Sequence, residues 1–417
     1  MASSIRSDRL LERFTRYVRV DTTANPDSGE YPSSAGQLEL GAMLVDELRQ
    51  AGIADAEQDE HGLVWGTVPA TVPGDLPTIL LNAHLDTSPE APGANVDPQI
   101  IESYAGGDIP LPRGDQVIRV ADAPELKEMT GHCLVTTDGT TLLGADDKAG
   151  VAVIMELAQH LIENPHLPHG PVRIMFTCDE EIGHGARHFD LQRAGAAAGY
   201  TLDGQGHGEV ENENFSADAL TVRAMGHNIH PAIAKGRMKH ALRAMCHFVD
   251  RLPRDRLSPE TTDGRNGFLH PYHLQAGVGE ASCEILLRDF DTARLDEYAA
   301  LAEAAAAETE AAFPGVRLQI DRRRQYRNMA EFLQAAPHVV ELACEAYRRL
   351  GRPWTLGAIR GGTDGAMFSE MGLPTPNLST GQHAIHSVLE FASLDEMVWA
   401  VEHLVELLDL WQAFGRT

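Results

Sequence analysis

Several short stretches of this sequence put histidines and carboxylates at the ends of apolar runs. His84-Leu85-Asp86 closes the run TILLNAH. Asp146-Asp147 sits within LLGADDKAG, and Glu180-Glu181 follows VRIMFTC. Asp203 is followed by Gly204, and His386 stands in a loop after the run near Pro374–Leu378. Side chains alternate along an extended segment, so His84 and Asp86 point to the same side. A histidine backed by a carboxylate is the usual form of a metal ligand, the acid orienting the ring through its other nitrogen. Asp146 has two oxygens and can bridge two cations. Gly144 and Ala145 beside it let backbone approach closely. Two adjacent acids at the end of an apolar strand are unfavourable unless something positive is near. Neighbouring side chains diverge, so one of Glu180 and Glu181 can bind metal while the other handles a proton. Taken singly, each stretch has a plainer explanation. An acidic pair before a helix most often complements the helix dipole, and a His-Asp pair can be a hydrogen bond within a turn.

The elements that would position these residues alternate. Residues 37–52 read as a helix ending at Gly52, which suits a position just past a helix terminus. Strands are expected at Gly62–Pro69 and Thr78–His84, before a Pro- and Gly-rich loop, Ser88–Gly114. Helix 148–163 is apolar on most sides and should be buried. The continuous apolar run 172–178 fits a parallel strand covered on both faces, and a further strand should end at Asp203. Such alternation predicts an α/β sandwich. Near residue 215 the pattern changes. Strand Ala217–Met225, helix Met238–Leu252, strands His273–Gly279 and Ser282–Phe290, helix Thr292–Phe313 and strand Val316–Arg322 follow the β-α-β-β-α-β order of a ferredoxin-like domain. From about residue 329 the α/β pattern resumes, with helix 332–350, the Gly-rich turn RGGTDG, a strand near Pro374–Leu378 and a last helix opened by a Ser393/Glu396 capping box. The expected organisation is a discontinuous catalytic domain, 1–214 and 329–417, with 215–328 inserted.

Composition bounds the function. At 417 residues two domains are expected. Lys+Arg is 34 against Asp+Glu 61, a net charge of -27, which argues against nucleic acid or an anionic membrane as partner. The five cysteines are scattered, without CxxC, as expected of free thiols in a reducing compartment. The amino-terminal stretch has no apolar signal region and reads as an amphipathic helix with Leu10, Leu11, Phe14 and Val18 on one face. No run is long enough to span a membrane, so a cytoplasmic location is expected. GxSxG, HExxH and P-loop motifs are absent, and GQGHG (204–208) is not completed into a dinucleotide-binding loop.

Together the motifs AHLDT (83–87), GADDKAG (144–150), FTCDEEIGHGA (176–186), YTLDG (200–204), GHNIHPAIAKG (226–236), LRDFD (287–291), IRGGTDGA (359–366) and HSVLEF (386–391) resemble the M20 family of two-zinc metallopeptidases, in its tripeptide aminopeptidase branch. The resemblance runs nearly end to end. Ser387 and Leu389 depart from residues common in the family, at positions that are not ligands. It implies that Asp146 bridges two Zn2+ ions, with Co2+ or Mn2+ as substitutes. His84 and Asp203 would complete one site, and Glu181 and His386 the other. Asp86 would stand behind His84, and Glu180 would be the general base acting on a metal-bridging water. It also implies a cis peptide between Asp146 and Asp147. In the inserted domain His230 would stabilise the oxyanion on domain closure, and a homodimer through that domain is compatible with its open edges. The small peptide substrate's C-terminal carboxylate needs a cation, for which Arg288 and Arg360 are the candidates, with Asn328 a further polar contact. Competing readings are another M20 dipeptidase, an N-acyl-amino-acid deacylase, or a metal-binding protein without catalysis. The last has no use for an unliganded Glu180.

Overall fold

The structure is a computed structural model and describes residues 5–416. It divides into two compact units. The larger comprises the described residues up to Asn212, Phe332–Gly357 and those from Thr363 on; the smaller comprises Glu213–Glu331 and Ala358–Gly362.

The larger unit is an α/β sandwich around an eleven-stranded mixed sheet. Its principal strands are β1 (Val64–Val68), β2 (Ile79–His84), β3 (Leu134–Thr136), β4 (Val172–Thr177), β5 (Ala198–Gln205), β6 (Asn377–His383) and β7 (Phe391–Ser393). They lie in the order β1-β4-β2-β5-β6-β7-β3. The centre is parallel: β2 pairs with β4 and β5, and β5 with β6. All six residues of β2 are buried, as a strand covered on both faces requires. Register puts His84 level with Thr177, so the loop carrying Glu180 and Glu181 begins where β2 ends. The carboxyl ends of parallel strands are where open α/β sheets bind ligands.

On one face lie α1 (Ser7–Tyr17), α2 (Ala35–Gln50), α3 (Ala145–Glu163), α4 (His338–Arg349) and α5 (Leu394–Phe414). Helix α3 is buried on nearly every side, as its all-round apolar sequence requires. It passes so close to β5 that a Cβ on Gly150 would stand 1.8 Å from the Leu202 carbonyl oxygen. Helix α1 buries Leu10, Phe14 and Tyr17 and docks on α3 through Arg9 and Arg13, which both reach the fully buried Glu156. A separate cluster containing Trp65, Met175, Phe189 and Phe368 belongs to the same unit. All five cysteines are free, and no helix among the described residues is long and apolar enough to cross a membrane.

Some element boundaries differ from the sequence reading. The helix expected over 332–350 is interrupted: a short turn, Ala330–Leu333, precedes α4, which starts only after Pro337. Proline lacks the N–H needed to continue a helix from the turn before. Strand β5 runs past Asp203 to Gln205, and the strand expected near Pro374–Leu378 is Asn377–His383. Ser393 accepts the Glu396 N–H, but the reciprocal half of the capping box is missing. The Glu396 carboxylate is instead taken by His207 and His383.

The smaller unit is a four-stranded antiparallel sheet, ordered Phe268–Ala276, Glu280–Asp289, Ser216–Met225, Arg317–Tyr326. Helices Ala241–Arg251 and Arg294–Ala312 pack on it around a core that includes Leu220, Phe248, Ile285 and Ala302. The strand expected at His273–Gly279 begins earlier, at Phe268, through a register shift at Pro271/His273. Ala358–Gly362 join this unit because Arg360 donates to the carbonyls of Thr262, Gly264 and Asn266.

Candidate metal centre

Each donor arrives at the site by a different local device. His84 is the last residue of β2. Its backbone N–H donates to Asp147 Oδ2 (3.1 Å), and its Nδ1 lies 3.1 Å from the Asp86 carbonyl oxygen and 3.4 Å from Asp86 Oδ1. Held so, the ring turns Nε2 outward as a ligand. Asp146 stands at the start of α3, and the Asp146–Asp147 peptide is cis. Asp203 lies on β5. His386 sits in the loop between β6 and β7 with φ 60, a conformation uncommon for a residue with a Cβ.

Asp146 is the centre of the arrangement. Its Oδ1 is 3.0 Å from His84 Nε2, and its Oδ2 is 3.3 Å from His386 Nε2. His84 Nε2 also lies 3.7 Å from Asp203 Oδ1, and His386 Nε2 lies 3.0 Å from Glu181 Oε2. One carboxylate thus presents one oxygen to each histidine, with a second acid on either side. His84, Asp146 and Glu181 form one group compact enough to hold a metal ion; His84, Asp147 and Asp203 form another. Asp147, not singled out for chemistry in the sequence, is fully buried. Both its oxygens already accept backbone N–H groups, from His84 and from Gly150. That marks it as a brace beneath the site.

The acidic pair after β4 is held from behind. Asp86, fully buried, accepts the Glu180 N–H with Oδ1 and the Glu181 N–H with Oδ2, each at 3.0 Å. Asp179 just before them has φ 60 and is held by the Ser33 N–H and hydroxyl and by the Gln37 amide. Further along the loop, Gly185 lies so close to Asp364 that a Cβ there would meet Oδ1 at 1.9 Å. Asp179 and Asp364 carry no sequence signal apart from lying within the acidic motifs. Their roles rest on contacts with distant segments.

The electrostatics call for cations. Burial, reinforced by the Asp146 charge, pushes the Glu181 carboxyl up to about 8 and that of Asp203 up to about 6. Burial, with Asp364 and Asp203 adding to it, raises Glu180 well above the usual carboxylate range. Burial would lower His386, but hydrogen bonds to Asp146 and Glu181 outweigh it and raise that imidazole. Glu181 Oε1 is buried without a hydrogen-bond partner. Buried carboxylates are stabilised by pairing or by coordinating a metal, and imidazole nitrogens with carboxylate oxygens suit a borderline divalent ion. The donor set fits metal.

The remaining candidates lie in the smaller unit. His230 is exposed, and its Nδ1 accepts the Ala232 N–H. Arg288 is mostly buried, its Nη1 donating to the Asp218 and Leu287 carbonyls. Asn328 accepts from the Asn214 and Ala330 amides and donates to the Phe290 carbonyl. Arg360 stacks over Phe215 and Phe268 in addition to its three carbonyls. The structure thus gathers His84, Asp86, Asp146, Glu180, Glu181, Asp203 and His386, and it gives these four residues local partners of their own.

Known proteins resemble this chain over most of its length. Residues 135–410 match the model of peptidase family M20/M25/M40. Peptidase T of Geobacillus thermodenitrificans (strain NG80-2) is 45% identical over 404 residues, covering 97% of this chain and 98% of that one. The crystal structure of aminopeptidase PepT from Bacillus cereus ATCC 10987 superposes with a TM-score of 0.75 at 24% identity, covering 98% of this chain and 99% of that one. A Bacillus subtilis protein, a dinuclear metal-binding peptidase from the M20 family, shares the fold with a TM-score of 0.63 at 16% identity, over 98% of each chain. A family match over most of the chain, a full-length relative and a metal-fitting donor set converge: the chain belongs to peptidase family M20/M25/M40 and is a metal-binding hydrolase, an exopeptidase.

Proposed function

We propose that this chain is a two-zinc aminopeptidase that removes the N-terminal residue of tripeptides. The observation that carries the reading is Asp146, one oxygen facing His84 and the other His386. Asp203 and Glu181 would complete the two ligand sets. The divalent ions, when bound, polarise the scissile carbonyl and make water a better nucleophile. Glu180, beside the ligands but not needed as one, takes a proton from the attacking water and returns it to the leaving amine. Asp86 keeps the backbone of both glutamates in place. The acidic surroundings favour the substrate's free N-terminal amine. Its C-terminal carboxylate calls for a bidentate cation, and the sequence offers Arg288 and Arg360. His230 is the candidate oxyanion donor.

The test is a peptide panel with the purified, zinc-loaded chain. Ala-Ala-Ala should be cleaved well. Ala-Ala, a tetrapeptide, an N-acetylated tripeptide and a C-terminally amidated tripeptide should be cleaved poorly. Arg288→Ala or Arg360→Ala should shrink the penalty for amidation, which identifies the residue that reads the carboxylate. Equal cleavage of the acetylated peptide would replace this reading with a deacylase.

A further inference from the structure

Glu390 is almost fully buried, 1% exposed, just before β7, and neither the ligand sets nor the proton transfer uses it. Its Oε2 accepts the backbone N–H groups of Leu143 (2.7 Å) and Gly144 (2.8 Å), and its Oε1 accepts that of Asp146 (3.0 Å). These amides belong to the turn that opens α3 and presents Asp146. Glu390 itself is on the segment that presents His386, four residues earlier. A single carboxylate therefore ties together the two segments whose side chains face each other at 3.3 Å, His386 Nε2 and Asp146 Oδ2.

The tie is needed because the His386 segment is poorly fixed by its own backbone. Ala384 and His386 both adopt positive φ, 50 and 60, where a Cβ is disfavoured. Its other anchors are modest. His386 Nδ1 faces Glu90 Oε2 at 3.4 Å, but that acid is 70% exposed, unlike the fully buried Asp86 behind His84. The Thr137 hydroxyl donates to the Val388 carbonyl, and the Ser387 hydroxyl bonds within the segment. Donors reach both oxygens of Glu390, and only a carboxylate accepts on both; glutamine would accept on one and place a competing donor on the other. The His84 side is different. His84 has its own supports in Asp147 and Asp86, which do not pass through Glu390.

We propose that Glu390 is a positioning residue that fixes Asp146 relative to His386 and thereby sets the affinity for the ion on the His386 side, with little effect on the His84 side. This rests on the two-ion reading above. It is tested on the metal-free full chain by titrating Zn2+ against a chromophoric chelator, with the Co2+ absorption spectrum as a second readout. In Glu390→Gln one ion should bind within about threefold of wild type and the other roughly 10- to 100-fold more weakly, the range usual for outer partners of ligands. Glu390→Asp, which keeps the charge but withdraws both oxygens, should show the same selective loss. Thr137→Val, which loosens the same region without touching the three amides, should bind both ions like wild type. Unchanged binding of both ions in Glu390→Gln, equal loss of both, or the same selective loss in Thr137→Val would overturn the proposal. A wild-type chain that takes up only one ion would overturn the two-ion reading and this proposal with it.

Discussion

Replacing Asp86 by asparagine should cost this enzyme turnover far more than it costs metal. The side chain is fully buried and each oxygen accepts one N–H of the Glu180-Glu181 pair. Hydrogen bonds to a charged group contribute about 1.5–3 kcal/mol each, and a neutral replacement about 1 kcal/mol. Asparagine keeps one acceptor and turns an NH2 toward the other N–H. The net local loss is therefore about 2–5 kcal/mol, concentrated on the backbone that carries the general base. If it falls on the placement of Glu180 in the transition state, turnover drops roughly 30- to 4,000-fold, at 1.4 kcal/mol per factor of ten. His84 is affected less, because its Nδ1 keeps the Asp86 main-chain carbonyl, at 3.1 Å closer than the side-chain oxygen at 3.4 Å. Zinc affinity should stay within about tenfold of wild type, since the ring keeps one of its outer partners. The assay pairs steady-state hydrolysis of Ala-Ala-Ala with chelator competition on the same preparation. Turnover within about threefold of wild type, or a loss of metal that accounts for the whole loss of activity, would refute the argument that Asp86 acts mainly through the glutamate loop.

The two glutamates should separate in the same pair of assays. Glu180→Gln should lose about 10²–10⁴ in turnover with metal retained, whereas Glu181→Gln should lose metal at one site; the reverse pattern would exchange their roles. Metal affinity should rise with pH between about 6 and 8. Glu181, pushed up to about 8, and Asp203, to about 6, hold protons that the ion must displace, and His386, also raised, must likewise deprotonate to ligate. Acid therefore competes with metal, by up to roughly tenfold per pH unit for each proton released, and a pH-independent affinity would contradict that site. Gly150→Ala would drive a Cβ to 1.8 Å from the Leu202 carbonyl, so thermal unfolding should show a loss of at least about 1–3 kcal/mol, as for other overpacked cores; an unchanged melting temperature would mean that α3 can move away from β5.

Much of the site was legible because the residues that bind metal are few in type and stand beside apolar runs that announce strands. VRIMFTC and TILLNAH read as buried strands with acids or a histidine at their carboxyl ends, and β4 and β2 lie side by side with those ends level. What was missed or displaced came from contacts between segments far apart in sequence. The break at Pro337 was written in the chain and was overrun by the apolar period on either side of it. Glu396 has the spacing of a capping partner, yet His383 and His207, the latter 189 residues away, claim its carboxylate. Asp146 is the acid the sequence favours as the bridge, and the turn into α3 supplies what the sequence does not, the backbone amides of His84 and Gly150 that consume Asp147. Glu390 and Asp179 give no periodic signal, because what they hold lies 244 and 146 residues away along the chain.

By itself, then, the sequence determined the donor types, the strands that carry them and the α/β class, because each follows from local chemistry and local periodicity. The tertiary structure decided which carboxylates brace the site, Asp147 and Glu390 among them, and where the arginines spend their donors. Those choices depend on which backbone amides and carbonyls arrive nearby once the sheet has formed, and no local pattern encodes that.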